Sequence, residues 1–111
     1  MFIYKARNKH DGKVYIGQTD NFQQRKKNHK TARESRKLTD AIREVGLDSF
    51  EWFILSEVPK GNLANRLEHT FIQDFRANDP RLGYNTNLPQ FTVTDKETDE
   101  AIQQTFETLF A

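Results

Sequence analysis

Two short segments near the start of the chain alternate apolar and polar residues with the period of a β-strand. One reads FIYKAR and the next KVYIG, and both are rich in β-branched and aromatic residues. The connecting residues NKHDGK contain Asp-Gly, which is typical of hairpin turns. The pattern predicts a β-hairpin with Phe2 and Tyr4 on one face of the first strand, and Tyr15 and Gly17 on one face of the second. It leaves the pairing register open.

A basic helix is expected directly after the hairpin, over TDNFQQRKKNHK. Asp20 is a suitable N-cap, and Gln23 stands three residues later, as in a capping box. In a helix Arg25 and His29 lie four residues apart on one face, with Phe22 one turn earlier. This helix therefore presents a cation and an imidazole together.

A second helix, a strand and a third helix follow. Ser35 is expected to cap the second helix and Gly46 to end it. The segment SFEWFILSEV carries apolar side chains on both faces, which predicts a central strand. Asn62 is expected to cap the third helix, LANRLEHTFIQDFRA. The apolar stripe of the second helix consists of Leu38, Ala41, Ile42 and Val45.

The end of the chain is expected to form a fourth helix that is acidic and amphipathic. Thr94 and Glu97 make a capping box at its start. We therefore divide the chain into one domain over residues 1–89 and a C-terminal helix over 90–111, packed on that domain or at a dimer contact. The order β-β-α-α-β-α-α predicts an α+β fold with a three-stranded antiparallel or mixed sheet flanked by helices.

Composition restricts the class of protein and the kind of partner. At 111 residues we expect one domain, and the absence of cysteine excludes disulfides and thiolate metal sites. No apolar run is long enough to span a bilayer and no signal-peptide pattern is present, so we expect a cytoplasmic protein without a membrane partner.

Charge is unevenly distributed along the chain. Residues 1–45 hold twelve lysines and arginines against five acidic residues, a balance of +7, whereas residues 46–111 hold five against eleven, a balance of −6. Such asymmetry indicates a polyanionic partner, most often nucleic acid. A solvated basic surface explains the charge equally well.

One carboxylate falls on the apolar side of the third helix. On a wheel of about 100° per residue, Glu68 lies inside the arc formed by the apolar side chains. Because a buried, unpaired carboxylate is costly, Glu68 needs a cation, several hydrogen-bond donors or a metal. A structural salt bridge, for example with Arg25, is the simplest explanation. Asp74 also falls inside the arc, but in the last turns, where its side chain can reach solvent.

These elements together resemble the GIY-YIG nuclease family over about residues 1–88. The family's Gly-Ile-Tyr and Tyr-Ile-Gly strands match FIY and YIG, its metal-binding glutamate matches the one in RLEHTFI, and its GYN motif is present. Phe2 stands where the first motif has glycine, a replacement that removes no chemical group. The matched positions, in order and at suitable spacing, are Tyr4, Tyr15, Arg25, His29, Glu68 and Asn85.

The resemblance implies a metal-dependent DNA endonuclease that hydrolyses phosphodiester bonds. Glu68 would hold one Mg²⁺ or Mn²⁺ ion, and Arg25 would contact the scissile phosphate. Tyr4 would be the general base, with His29 receiving its proton, and Tyr15 would orient water or phosphate. The two tyrosines can exchange these roles.

The resemblance also implies how DNA is held. Asn85 is expected to hold the site together or to donate to a tyrosine hydroxyl. Contacts to the phosphate backbone carry affinity and little sequence information, so we expect weak sequence preference. The residues expected to contact DNA are Lys13, Gly17, Lys26, Lys27, Lys30 and Arg33.

The biological setting stays broad. Many proteins that resemble this chain are phage-borne or homing-type nucleases, so we expect a bacterial or phage-infected cytoplasm and no small-molecule cofactor. One copy would nick a single strand, and cleavage of both strands would need a homodimer or two events. The alternative is a catalytically inactive module that binds nucleic acid or protein with the same fold.

Overall fold

The computed structural model describes residues 1–32, 35–92 and 103–105. Within these residues the predicted α+β class is confirmed, and so is the predicted order as far as the third helix. The predicted fourth helix, its capping box at Thr94 and Glu97 and most of the segment 90–111 lie outside the described residues. The elements are β1 (Phe2–Asn8), β2 (Val14–Thr19), α1 (Phe22–Asn28), α2 (Arg36–Val45), a short 3-10 helix (Leu47–Ser49), β3 (Phe50–Glu57) and α3 (Asn62–Asp74).

The strands form one antiparallel sheet in the order β2-β1-β3. The prediction that β3 is central was wrong, because β1 lies between the other two strands and β3 is an edge of the described sheet. Apolar residues occur on both faces of β3 because both faces of the sheet are covered: Phe50 packs in one core cluster and Leu55 against the other. Phe53 and Ile54 remain 39% and 51% exposed.

Two core clusters lie on opposite faces of the sheet. On one face, α3 packs on residues of β1 and β2, and on the other, α2 packs on β1 and β3. Each helix buries its apolar stripe against one face of the sheet, which is the packing expected of an α+β domain. The first cluster contains Ile3, Val14, Ile16, Ala64, Leu67, Phe71, Ile72 and Ala77, and the second Ala6, Leu38, Ile42, Phe50 and Tyr84.

The hairpin register places both motif tyrosines on the face beneath α1 and α2. Tyr4 pairs with Gly17, and Ala6 pairs with Tyr15, so the two tyrosines are diagonal neighbours with ring centroids 6.2 Å apart. A Cβ atom at Gly17 would lie 2.5 Å from both Cζ and Oη of Tyr4. Glycine is therefore required at this position for the Tyr4 ring to cross β2.

The outer edge of β2 is covered by residues 82–85. Val14 donates its backbone N–H to the carbonyl of Leu82 at 3.1 Å and accepts from the N–H of Tyr84 at 2.9 Å, which makes a parallel bridge with Gly83. A Cβ atom at Gly83 would lie 2.3 Å from the backbone oxygen of Ala77, so this close approach also needs glycine. The bridge brings the GYN segment alongside the YIG strand.

Two predicted N-caps are displaced by one residue. Asn21, and not Asp20, caps α1, because its side chain accepts a hydrogen bond from the backbone N–H of Gln24 at 3.2 Å. Gly61, and not Asn62, precedes α3. Among the described residues, no helix has the length and apolar character needed to cross a membrane.

Candidate active site

A buried tyrosine and a buried histidine meet on the face of the sheet beneath α1. Tyr4 of β1 is 1% exposed, and His29, at the end of α1, is fully buried. Tyr4 Oη and His29 Nε2 are 2.6 Å apart, which is hydrogen-bond distance. The His29 ring stacks on Trp52 of β3 with centroids 5.8 Å apart and meets the Tyr15 ring edge-on at 5.2 Å. Residues from the three strands and the end of α1 therefore form one aromatic cluster.

Ser35 stands at the predicted N-cap of α2 but makes no side-chain capping bond. Its Oγ atom lies 2.7 Å from His29 Nδ1. His29 thus has a hydrogen-bonding neighbour at each ring nitrogen. Sequence reasoning missed this contact, because the N-cap pattern accounts for Ser35 without reference to the histidine.

The Tyr4 hydroxyl is held in its protonated form. Burial raises the pKa of Tyr4 well above its ordinary value, and the nearby Tyr15 raises it further. The charge of Arg25 and a hydrogen bond from its side chain lower this pKa and only partly offset the burial. Tyr4 is therefore a hydrogen-bond donor at neutral pH.

Glu68 of α3 lies half-buried on the opposite face of the sheet, close to its β2 edge. Its Oε2 atom accepts a 2.5 Å hydrogen bond from Nε2 of Gln18, which also donates to Asn65. Burial raises the pKa of Glu68, whereas the Gln18 hydrogen bond and the charge of Arg25 lower it. Asp74, which the wheel also places inside the apolar arc, is exposed, as expected from its position in the last turns of α3. The polar partner that the buried carboxylate requires is Gln18, with Arg25 acting through its charge.

A cleft of about 650 Å³ runs beside β2 between the start of α2 and the segment after Gly83. Three of the predicted catalytic residues line it: Tyr15, Glu68 and Asn85. Tyr4 and His29 lie beneath Tyr15, and Arg25 interacts electrostatically with both Tyr4 and Glu68. The structure thus brings the six predicted positions to one region, with the tyrosine–histidine pair behind the cleft.

Asn85 holds the backbone of β2. Its Oδ1 accepts from the N–H of Ile16 and its Nδ2 donates to the carbonyl of Ile16, each at 2.8 Å. Of the two expected roles, this geometry favours holding the site together over donation to a tyrosine hydroxyl. Because Ile16 is the neighbour of Tyr15, the amide also fixes the strand that carries the cleft tyrosine.

The basic residues expected to contact DNA differ in their surroundings. Lys27 and Lys30 are exposed, whereas the Lys26 ammonium lies 5.7 Å from the centre of the Trp52 ring. Lys13 lines a separate cavity near the hairpin turn. Gly17 is buried under Tyr4, so packing alone explains a glycine there, and Arg33 is outside the described residues. Two cations that line the cleft were not anticipated from the sequence: Arg36 and Lys37.

The single carboxylate of the site suits Mg²⁺ better than a metal that needs three or more protein ligands. No group of three or more histidines, cysteines, aspartates or glutamates is found within residues 1–32, 35–92 and 103–105. Mg²⁺ commonly binds proteins through one or two carboxylates and keeps several waters. Glu68 is a carboxylate at a cleft, and burial makes its negative charge costly, which a cation would relieve. The residues therefore fit such an ion.

Comparison with known proteins assigns this arrangement to a family. Residues 1–85 match the family model described as the GIY-YIG catalytic domain. None of the curated protein sequences matches the chain.

Two solved structures are similar to the chain along most of its length. One, a mutant of the catalytic domain of the intron endonuclease I-TevI, aligns with a TM-score of 0.68 and 27% identity, covering 83% of this chain and 100% of that one. The other, the catalytic domain of the homing endonuclease I-TevI, aligns with a TM-score of 0.64 and 30% identity, covering 77% and 96%. With the family match over residues 1–85, these similarities show that the chain belongs to the GIY-YIG nuclease domain family.

Proposed function

We propose that this chain is a metal-dependent DNA endonuclease that hydrolyses phosphodiester bonds. The observation that carries the proposal is the convergence of Tyr15, Glu68 and Asn85 on one cleft, backed by the hydrogen-bonded pair of Tyr4 and His29. These side chains come from β2, α3 and the segment after Gly83, so residues distant in sequence meet at one cavity.

Tyr4 acts as the general base and passes its own proton to His29. As a water molecule attacks the phosphorus, the Tyr4 oxygen takes a proton from it, and the original Tyr4 proton moves to His29 Nε2 at 2.6 Å. This concerted transfer suits a phenol whose raised pKa disfavours a free phenolate. Tyr15, on the cleft wall, orients the water or the phosphate.

Arg25 and a metal ion held by Glu68 offset the negative charge of the reacting phosphate. The guanidinium of Arg25 contacts the scissile phosphate, for which its planar, permanently charged group is suited. Glu68 holds a Mg²⁺ or Mn²⁺ ion, which when bound supplies positive charge for the phosphate and the leaving 3′-oxygen. Gln18 fixes the carboxylate in place by its 2.5 Å hydrogen bond.

The DNA backbone runs over the exposed part of α1 and the start of α2. Lys27 and Lys30 are exposed on α1 and just beyond it, and Arg36 and Lys37 line the cleft. These cations contact phosphates, so cleavage has weak sequence preference. One copy nicks a single strand, and cleavage of both strands needs a homodimer or two successive events.

Supercoiled plasmid tests the activity. Wild-type protein with Mg²⁺ is expected to produce nicked circles, and Glu68→Gln is expected to slow nicking by at least about 100-fold. Asp74→Asn is the matched control, because it removes an exposed carboxylate from the same helix. The proposal fails if folded wild-type protein leaves the plasmid intact with both Mg²⁺ and Mn²⁺, or if Glu68→Gln nicks as fast as Asp74→Asn.

The second candidate is a binding module without turnover, which Phe2 at the motif's glycine position motivates. Phe2 lies at the start of β1, pairs with Thr19 and Glu57 and is half-buried. The replacement adds a side chain at a strand end and removes no reactive group, which favours the nuclease. The module instead predicts salt-sensitive DNA binding that does not change with Glu68→Gln or with metal.

A further inference from the structure

A chain of buried hydroxyl groups extends from His29 away from Tyr4. Ser35 Oγ lies 2.7 Å from His29 Nδ1 and 3.5 Å from Thr39 Oγ1, and the Thr39 hydroxyl donates to the backbone carbonyl of Ala32 at 2.9 Å. His29, Ser35 and Thr39 are 0%, 3% and 4% exposed. The proposed hydrolysis uses His29 and assigns no role to these hydroxyls.

The Tyr4 end of the chain determines which nitrogen of His29 carries the proton. Arginine has donors and no acceptor, so the phenol oxygen accepts in the hydrogen bond between Arg25 and Tyr4. The Tyr4 proton is then directed to His29 Nε2, 2.6 Å away. Nε2 must accept this proton, so the neutral imidazole carries its own hydrogen on Nδ1.

The Thr39 end of the chain leads to the same arrangement. The carbonyl of Ala32 can only accept a hydrogen bond, so the Thr39 hydroxyl donates to it. The Thr39 oxygen then remains free to accept a hydrogen bond from another group. The Ser35 hydroxyl can direct its proton towards Thr39, although the 3.5 Å separation makes this the weakest link. The Ser35 oxygen then accepts from Nδ1–H of His29 at 2.7 Å.

We propose that Ser35 is a positioning residue for His29: its oxygen accepts the Nδ1–H bond and thereby keeps the Nε2 lone pair directed at the Tyr4 hydroxyl. The inference deepens the proposed nuclease function and rests on it. When the Tyr4 proton moves to Nε2, the imidazolium has two N–H donors, and both already face an oxygen. No group has to rotate, and a fully buried cation is not left with an unpaired donor.

The tautomer of His29 tests the proposal in the absence of DNA. Imidazole ¹⁵N shifts of the 111-residue chain should place the proton of neutral His29 on Nδ1 in the wild type. Ser35→Ala should shift the population towards the Nε2–H form, and Ser35→Thr, which keeps a hydroxyl, should restore the wild-type pattern. The matched control is Ser49→Ala, which removes a hydroxyl that donates to the backbone carbonyl of Val45 at 2.7 Å. A wild-type proton on Nε2, or an unchanged tautomer in Ser35→Ala, overturns the proposal.

Nicking kinetics test whether the positioning matters for the reaction. Ser35→Ala should lower kcat by about 10- to 100-fold with little change in KM for plasmid, while Ser35→Thr and Ser49→Ala stay near the wild-type rate. Equal kcat in Ser35→Ala and wild type overturns the positioning role.

Two further outcomes keep the inference separate from the nuclease proposal. If the wild type does not cleave but the tautomers behave as expected, the nuclease function fails and the hydrogen-bonding role of Ser35 stands. If Ser35→Ala does not fold, Thr39→Val tests the proposal instead, because it removes the oxygen that accepts the hydrogen bond from Ser35. Thr39→Val should shift the tautomer in the same direction, and an unchanged tautomer in this variant overturns the proposal.

Discussion

Gly17→Ala is expected to displace Tyr4, the proposed general base. The added Cβ would lie 2.5 Å from Cζ and Oη of Tyr4, whereas carbon atoms in contact are ordinarily about 3.5 Å apart. Either the Tyr4 ring or one of the two strands must therefore move by roughly 1 Å. Tyr4 is 1% exposed and cannot swing into solvent, so the movement strains the 2.6 Å contact with His29.

The expected cost follows from this geometry. Overpacking of a tight core costs about 1–3 kcal/mol of unfolding free energy, and a 1 Å misplacement of a reacting group costs about 100-fold in rate. We therefore expect Gly17→Ala to unfold at lower urea concentration and to lose most of its nicking activity while remaining folded. Gly46→Ala is the control: nothing lies within 4 Å of its Cβ position, so it should lose some stability through its positive φ of 90° and keep its activity.

A double-mutant cycle shows whether the Tyr4 hydroxyl is the atom responsible. Tyr4→Phe removes Oη, one of the two atoms at 2.5 Å, so Gly17→Ala should cost less stability in the Tyr4→Phe background than in the wild type. Equal costs in the two backgrounds, or a Gly17→Ala variant with wild-type stability and activity, would refute the reasoning.

Three other substitutions test different parts of the structure. Asn85→Leu removes the hydrogen-bond partner of the Ile16 N–H and carbonyl and should lower the free energy of unfolding, measured in urea, by about 3 kcal/mol. A loss below about 1 kcal/mol would contradict a stabilising role for these two hydrogen bonds. Because burial raises the folded pKa of Glu68, protons bind more tightly in the folded state, and stability should fall as pH rises through the interval between the unfolded and folded pKa values. Glu68→Gln should therefore be more stable than wild type at pH 7 and equally stable below about pH 4, and a difference that is largest in acid would contradict this sign. Ile54→Lys should change stability by less than about 0.5 kcal/mol, because that side chain is exposed, whereas Phe50→Ala should cost about 3–5 kcal/mol, so similar losses would contradict the difference in burial between these two side chains of β3.

The sequence was sufficient for features set by neighbouring residues. The hairpin follows from alternation and Asp-Gly, and the C-terminal end of α2 at Gly46 follows from the freedom of glycine to adopt a positive φ. The position of Glu68 on the inner side of α3 follows from helical periodicity, and the exposure of Asp74 follows from its place in the last turns of the same helix. These predictions needed no knowledge of what packs against each element.

The errors occurred where the outcome depends on a distant partner. Apolar residues on both faces of β3 indicate that both faces are covered, and they carry no information about whether the second edge is paired. The caps at Asn21 and Gly61 differ from the predicted ones by one residue, because adjacent residues offer nearly equivalent capping chemistry. Ser35 occupied its predicted position, yet its side chain contacts His29.

The sequence by itself determined the α+β class, the element order as far as α3, the inward carboxylate of α3 and the set of residues that match the GIY-YIG motifs, because periodicity, turn chemistry and residue identity are local properties. Only the tertiary structure decided the strand order, the register that lays Tyr4 across Gly17 and the contacts of Gln18 with Glu68 and of Ser35 with His29. These features join side chains from different elements, and their geometry follows from how the core packs. That packing minimises the free energy of the whole domain, which no single segment specifies.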